Sequence, residues 1–370
     1  MPPSTAVVAG ALASKAGYGG EAWVRLNWVL GLERLGFDVV FVEEVATPNP
    51  APQAVRYFEA VTRRFGIERA ALLHRGGSLA GASIEAILDS TRDAELLVNL
   101  SGNLRDLAIA GNCRRRVYVD LDPGYTQFWE AGGIDVGLQA HDFYFTVGAR
   151  IGSPGCPVPC SGVDWQPTAP PIVLDRWLPD ATSAGRFTTV TTWRGAYGPA
   201  EHDGHVYGLK AHEFRRVRDL PRRSPFAFEL ALDIDPADAA DRAELVEAGW
   251  QLAPSDVAST PERFRAYVRA SSAEFSVAQG IYVETQCGWV SDRTAAYLAA
   301  GKPVLVQDTG FADSYRVGKG VVSFRTFDEA VAGAAEICSD YLDHCRGARA
   351  VAEATLDSDV VLGRLLEHVA

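Results

Sequence analysis

The sequence predicts an α/β protein made of two strand-and-helix series with a ligand-facing unit in the second, and three observations carry that expectation. Short apolar runs bounded by glycine and proline alternate with amphipathic stretches of helical period, as parallel sheets covered by helices require. A segment with six prolines, residues 153–171, separates one series from the next, which is a linker signature. Third, residues 288–311 read as loop, capped helix, tight turn, buried strand and second loop. Together these form a ligand-facing unit, because helix N-termini and the loops after parallel strands are where such folds hold anions and nucleotides. At 370 residues the chain has room for about two cores.

In the first series, residues 6–12 read as a strand and residues 14–20 as a glycine-rich loop before a helix over 21–35. Gly19 and Gly20 are expected to let a ligand approach the N–H groups at that helix start. Gly36 ends the helix, and a second strand over 37–42 runs into Glu43 and Glu44. Helices over 55–65 and 83–88 flank a flexible stretch at 76–81, and strands follow over 95–100 and 116–121. The last of these ends in Asp120-Leu121-Asp122-Pro123-Gly124. Two aspartates so spaced can hold a metal with a diphosphate, but Asp-Pro-Gly is also a turn, and the turn is the reading preferred here. Asp122 stays a candidate proton acceptor. His141 precedes an aromatic strand over 143–147, expected to be central, and residues 74–82 and 123–135 are expected to be loops.

The second series opens with a strand over 187–192 that ends in Trp193-Arg194-Gly195, and Lys210 begins a helix. A lysine there opposes the helix dipole unless an anion is present. A strand over 226–234, helices over 244–248 and 261–271 and a strand over 274–278 lead to the 288–311 unit. Within it, Gly288 and Trp289 suit a loop lying against something flat. Ser291 is placed as an N-cap, Asp292 in the first turn where negative charge is favoured, and Gly301 as the left-handed stop. Val304-Leu305-Val306 is the buried strand, and the loop with Thr309 and Gly310 leaves its end. The tail, 327–370, is helical in pattern.

A formal charge of −12 argues against nucleic acid or an anionic membrane as the main partner. No apolar run is long enough to span a membrane, and the apolar residues 6–13 lack a basic region before them, so the expected location is the cytoplasm. The six cysteines, with no zinc-type spacing, are expected to be reduced. Only four of the 35 basic residues are lysine, a codon bias of high-GC bacterial genomes. Nothing in the sequence specifies an oligomeric state.

Four stretches carry a resemblance. They are Gly19-Gly20-Glu21 with its helix and Gly36-Phe37-Asp38-Val39-Val40; Pro159-Cys160-Ser161-Gly162-Val163-Asp164 with Pro167; Trp193-Arg194 with Lys210; and Gly301-Lys302-Pro303-Val304 with the loop to Gly310. On these the sequence resembles the nucleotide-sugar-dependent glycosyltransferases of GT-B fold, nearest to family 4. The resemblance implies two Rossmann-like domains facing each other across a cleft: an acceptor domain over 1–170, a donor domain over 171–350, and a helix over 351–370 crossing back to the first. It implies a hexosyltransferase-type transfer from a nucleoside-diphosphate sugar to a hydroxyl of a small-molecule or glycan acceptor, with neither cofactor nor metal. The donor would meet Trp193, Arg194, Lys210, Gly288, Trp289, Ser291, Asp292, Arg293, Thr309 and Gly310, together with Gly19 and Gly20 of the first domain. The base would be Glu21, Asp122 or His141. The family brackets its donor-site helix start with two glutamates separated by seven residues, whereas Gly288 and Ala296 stand at those places here. Asp292 or Glu284 is the expected substitute. An epimerase or hydrolase of nucleotide sugars, or a binding protein of the same fold, remains an alternative.

Overall fold

The computed structural model describes residues 3–183, 185–315 and 317–370. The first eight strands are β1 (Thr5–Ala9), β2 (Asp38–Glu44), β3 (Ala70–His74), β4 (Gly77–Gly81), β5 (Ala94–Leu100), β6 (Cys113–Asp120), β7 (Phe143–Thr146) and β8 (Trp165–Pro167). They form one sheet in the order β4-β3-β2-β1-β5-β6-β7-β8, parallel except for β4. Beyond the proline-rich segment come β9 (Arg186–Thr192), a small hairpin of β10 (Glu201–His202) and β11 (His205–Val206), β12 (Ala227–Asp233), β13 (Gln251–Pro254), β14 (Ala273–Ser276), β15 (Val304–Gln307) and β16 (Val321–Phe324). The second sheet, in the order β13-β12-β9-β14-β15-β16, is wholly parallel.

In both sheets the order in which strands are added reverses beside the first strand, between β1 and β5 and between β9 and β14. At such a reversal the flanking connections leave to opposite faces and a crevice opens past the carboxyl ends of the strands. Continuous apolar runs suit these positions because helices cover both faces: Val7, Val8, Val304 and Leu305 are fully buried. The two crevices face each other, which is the GT-B arrangement.

Several local expectations change. The aromatic strand β7 is not central, because β8 pairs outside it through Tyr144 and Trp165 and leaves it next to the edge. Residues 77–81 are not a flexible stretch but the antiparallel strand β4, folded back on β3 across a bulge. Tyr125–Ala131 is a helix where a loop was expected, started by Gly124 N–H donating to Gln127 Oε1 at 2.6 Å. The first helix is Gly19–Arg34, so both glycines lie inside its first turn rather than in the loop before it.

The last helix, Ser358–Val369, returns to the Gly19–Arg34 helix. Gly31 permits the close crossing: a Cβ there would lie 2.6 Å from Leu362 Cδ1 and 3.0 Å from Ser358 Cβ. Arg34 adds bonds to Asp359 (3.0 Å) and Asp175 (2.8 Å). Deleting residues 357–370 removes the buried side chains of Val361, Leu362, Leu365 and Val369. At about 1.5–3 kcal/mol each, the loss should lower the midpoint of thermal unfolding by many degrees. An unchanged midpoint would mean that this helix does not dock.

Candidate functional site

The wall contributed by the first domain starts at the turn after β1. Glu43, fully buried at the end of β2, accepts hydrogen bonds from the backbone N–H groups of Leu12 (2.7 Å), Ala13 and Ser14 (2.8 Å). One carboxylate thereby fixes the turn that carries Lys15 and Tyr18. Gly19 is glycine for a reason the sequence did not show: a Cβ would lie 2.1 Å from the carbonyl oxygen of Thr260 in the other domain. Gly20 packs likewise against the ring of Phe264, at 3.1 Å. Glu21 pairs with Arg25 one turn on. Burial raises its pKa, but Arg25, Lys15 and Lys210 outweigh that and hold the carboxyl below its usual range.

Asp120 and Asp122 differ in kind. Asp120 is fully buried and accepts from Thr126 Oγ1 (2.6 Å), Gln127 Nε2 (2.8 Å), Thr146 Oγ1 (2.8 Å) and the Asp122 N–H (3.0 Å). Its oxygens are taken up in pinning the turn. Asp122 projects past it and meets the Tyr197 hydroxyl at 3.2 Å. Burial, then Asp120 and Glu21, push the Asp122 carboxyl up to about 6. His141 lies inside the first domain, edge-on to Tyr118, with Nε2 3.1 Å from Asn99 Nδ2. Burial lowers its pKa, and it lines neither cleft cavity. The structure therefore brings Glu21 and Asp122 to the cleft and leaves His141 out.

On the opposite wall Trp193 belongs to the second core, packed on Phe214, with its indole N–H on Asp241 at 2.9 Å. The Arg194 guanidinium forks onto the carboxylate of Asp238 at 2.7 and 2.5 Å, which commits two of its five N–H donors and offsets its charge, while the side chain still lines the larger cavity. Arg293 is held by buried Glu274 (2.6 Å), the Val190 carbonyl (2.9 Å) and Ser276 Oγ (2.5 Å). It is a fixed charge rather than a mobile one. Among the described residues the Lys210 ammonium donates one hydrogen bond, to Thr191 Oγ1 at 3.2 Å. Burial, then the neighbouring Arg293, push the Lys210 ammonium down to about 7. Ser291 caps the Asp292–Ala299 helix by accepting from Arg293 N–H at 3.3 Å. Burial, then Glu21, push the Asp292 carboxyl up to about 7.

These groups surround two adjoining cavities, of about 190 Å³ and about 580 Å³, whose shared lining includes Tyr18, Glu21, Lys210, Asp233, Ser291, Asp292 and Arg293. The smaller runs inward along the first helix between Trp23, Trp28, Phe264 and Ala296, and the larger opens past Lys15, Asp122, Arg194 and Trp289. Tyr18 Oη bonds Asp233 Oδ2 at 2.8 Å, joining the two domains beside both cavities. Trp289 stacks on Tyr282 with ring centres 4.3 Å apart and pairs its backbone with Gly148 of the first domain.

Gly288, Thr309 and Gly310 line neither cavity. Gly288 N–H donates to the Thr309 carbonyl (2.8 Å), and Gly310 N–H to Asp308 Oδ1 (2.9 Å). At φ +82° a Cβ on Gly288 would lie 3.0 Å from Arg150 N and 3.2 Å from Ala149 Cβ, so the first domain occupies the space a side chain would need. Ala296 faces the inner cavity, where its short side chain leaves room. Tyr18, Tyr197 and Asp233 were missed. Asp233 had one legible signal, its place at a strand end opposite Thr192, but the two tyrosines had none.

Two Rossmann-like domains facing each other across such a cleft define the GT-B class of fold. Solved structures similar to this chain include an alpha-glucosyltransferase in complex with UDP, at TM-score 0.63 and 11% identity over 99% of both chains. AviGT4, a glycosyltransferase involved in avilamycin A biosynthesis, matches at TM-score 0.57 and 14% identity over 99% of this chain and 97% of that one. HepE from Anabaena, in complex with UDP and glucose, matches at TM-score 0.57 and 11% identity over 99% of both. At these identities the likeness is one of fold. No family model matches the sequence, and no curated protein matches it closely.

Proposed function

We propose that the protein transfers a sugar from a nucleoside-diphosphate sugar to an acceptor hydroxyl. The observation that carries this reading is the convergence of Lys210, Arg293 and the start of the Asp292–Ala299 helix on one side of the cleft, with Asp122 lining the other. The inner cavity, with Trp23, Trp28 and Phe264, suits the nucleoside, and the diphosphate then lies over Lys210. Asp292, one of the two expected substitutes for the missing glutamates, lines both cavities and is taken here as an acceptor for donor hydroxyls, with Glu21 as the second; Glu284, the other expected substitute, lines neither cavity and accepts from Gly208 N–H at 3.2 Å beside His205. An ionised Asp122 takes the acceptor proton as that oxygen bonds to the anomeric carbon. The bond from the anomeric carbon to the phosphate oxygen breaks, and the nucleoside diphosphate leaves with its new charge facing Lys210 and the helix N–H groups.

In this reading neither a metal nor a cofactor takes part, since protein cations and a helix terminus neutralise the phosphates. The acceptor is a small molecule or glycan. One alpha-glucosyltransferase of similar fold has been solved with UDP and DNA. Here the formal charge is −12, which is unfavourable to a long polyanion such as DNA. Among the described residues no helix is long and apolar enough to cross a membrane.

Thermal-shift measurements with UDP, dTDP and GDP test the reading. A nucleotide at a hundredfold its Kd should stabilise the native state by about 2.7 kcal/mol, and the corresponding nucleoside by far less. EDTA should leave both the shift and sugar transfer in place. Failure of every nucleotide to raise the melting point would leave the non-catalytic alternative, and release of free sugar without transfer would favour a hydrolase.

A further inference from the structure

Among the described residues, the Asp122 carboxylate has one side-chain hydrogen-bond partner, the Tyr197 hydroxyl. Tyr197 belongs to neither sheet. It sits on the segment that leaves β9, crosses to the first domain, folds the β10–β11 hairpin and returns to the Lys210–Arg216 helix. Its ring lies between Tyr125 (centroids 5.0 Å apart) and Trp129 (4.9 Å) of the Tyr125–Ala131 helix. Further along the segment, His202 and Tyr207 stack on Phe128 of that helix at 4.6 and 5.1 Å. That helix begins three residues after Asp122. The spacing between Tyr197 and Asp122 is therefore set by four aromatic contacts, not by one hydrogen bond.

We propose that Tyr197 is a positioning residue for the transfer: its hydroxyl donates to Asp122 Oδ2, fixes the plane of the carboxylate, and leaves Oδ1 to receive the acceptor proton. The inference rests on the reading of Asp122 as the base. It adds that the base, although part of the first domain, is oriented by a segment of the domain that binds the donor. Burial and the Asp122 charge raise the pKa of Tyr197, so its hydroxyl stays a donor across the working range of pH. The other titratable groups facing Asp122 are Asp120 at the end of the preceding strand, Lys15 and Glu21 from the β1 turn and first helix, Asp292 of the donor-side helix, and the neutral hydroxyls of Tyr118, Tyr125 and Tyr282.

Tyr197→Phe keeps the ring packing and removes only the hydroxyl, so the variant should fold with a nearly unchanged melting point. In protein labelled with ¹³C at the aspartate carboxyls, with Asp122→Asn used for assignment, Asp122 should titrate about one pH unit higher in Tyr197→Phe, because a donor to the charged form has been lost. In turnover, kcat should fall about tenfold and the acid limb of the pH profile should move up by the same step, while the donor KM and the UDP Kd stay put. An unchanged Asp122 titration overturns the proposal and leaves the glycosyltransferase reading intact. A shifted titration in a protein that binds no nucleotide and consumes no donor overturns that reading instead. A loss confined to donor KM would also overturn the proposal, since the hydroxyl would then be serving donor binding.

Discussion

Asp122→Asn should lower kcat by about a hundred- to ten-thousandfold, the range that a positioned general base contributes. The substitution is nearly isosteric. An asparagine oxygen still accepts from Tyr197, and Asp120, which pins the turn, is untouched, so the fold should survive. Affinity for UDP, taken as the trial nucleoside diphosphate, should hold or improve slightly, because one negative charge leaves the larger cavity. The wild-type pH profile supplies an independent check. Burial, Asp120 and Glu21 raise the Asp122 carboxyl to about 6, and only its ionised form takes a proton, so kcat/KM should fall as pH drops through about 6. That limb should disappear in Asp122→Asn. A variant within threefold of wild type would show the proton leaving by another route, with Glu21 or the departing phosphate as the acceptor.

How legible the site was depended on how far each feature reached along the chain. The 288–311 unit was readable because cap, helix, stop and strand are local: Ser291 caps, Gly301 turns left-handed at φ +69°, and Val304 and Leu305 are buried. Gly19 and Gly288 were legible as glycines that matter but not for why. In each case the constraint comes from backbone of the other domain, Thr260 for one and Arg150 for the other. Arg194 was a reasonable phosphate ligand by type and position, and only three dimensions could place Asp238, 44 residues on, against it. Tyr197 is the extreme case. Its role depends on a crossing segment whose hairpin is two residues per strand, too short to carry a period.

The strongest effect on donor binding is expected at Lys210. Lys210→Ala removes a charge-assisted contact worth about 1.5–3 kcal/mol, so UDP should bind roughly ten- to a hundredfold more weakly in calorimetry, while uridine should hardly be affected. Arg194→Ala should change UDP affinity little, because that guanidinium already forks onto Asp238. The pH dependence separates these roles. Burial and the fixed charge of Arg293 lower the Lys210 ammonium to about 7, so in the free protein it loses its proton as pH rises through that value. A bound diphosphate favours the ammonium, and binding at pH 8 must then take up a proton. Asp292, raised to about 7 by burial and Glu21, works in the same direction, since its ionisation places a negative charge beside the phosphates. UDP affinity should therefore weaken steadily from pH 6 to 9, by up to about tenfold per unit for each group. Calorimetry in buffers of different ionisation enthalpy should register proton uptake of more than half an equivalent at pH 8. Lys210→Ala should keep only the share due to Asp292, and adding Asp292→Asn should flatten the profile. If affinity in wild type is level across this range, or if Arg194→Ala weakens binding as much as Lys210→Ala does, the diphosphate does not lie over Lys210 and the donor must be turned around in the cleft.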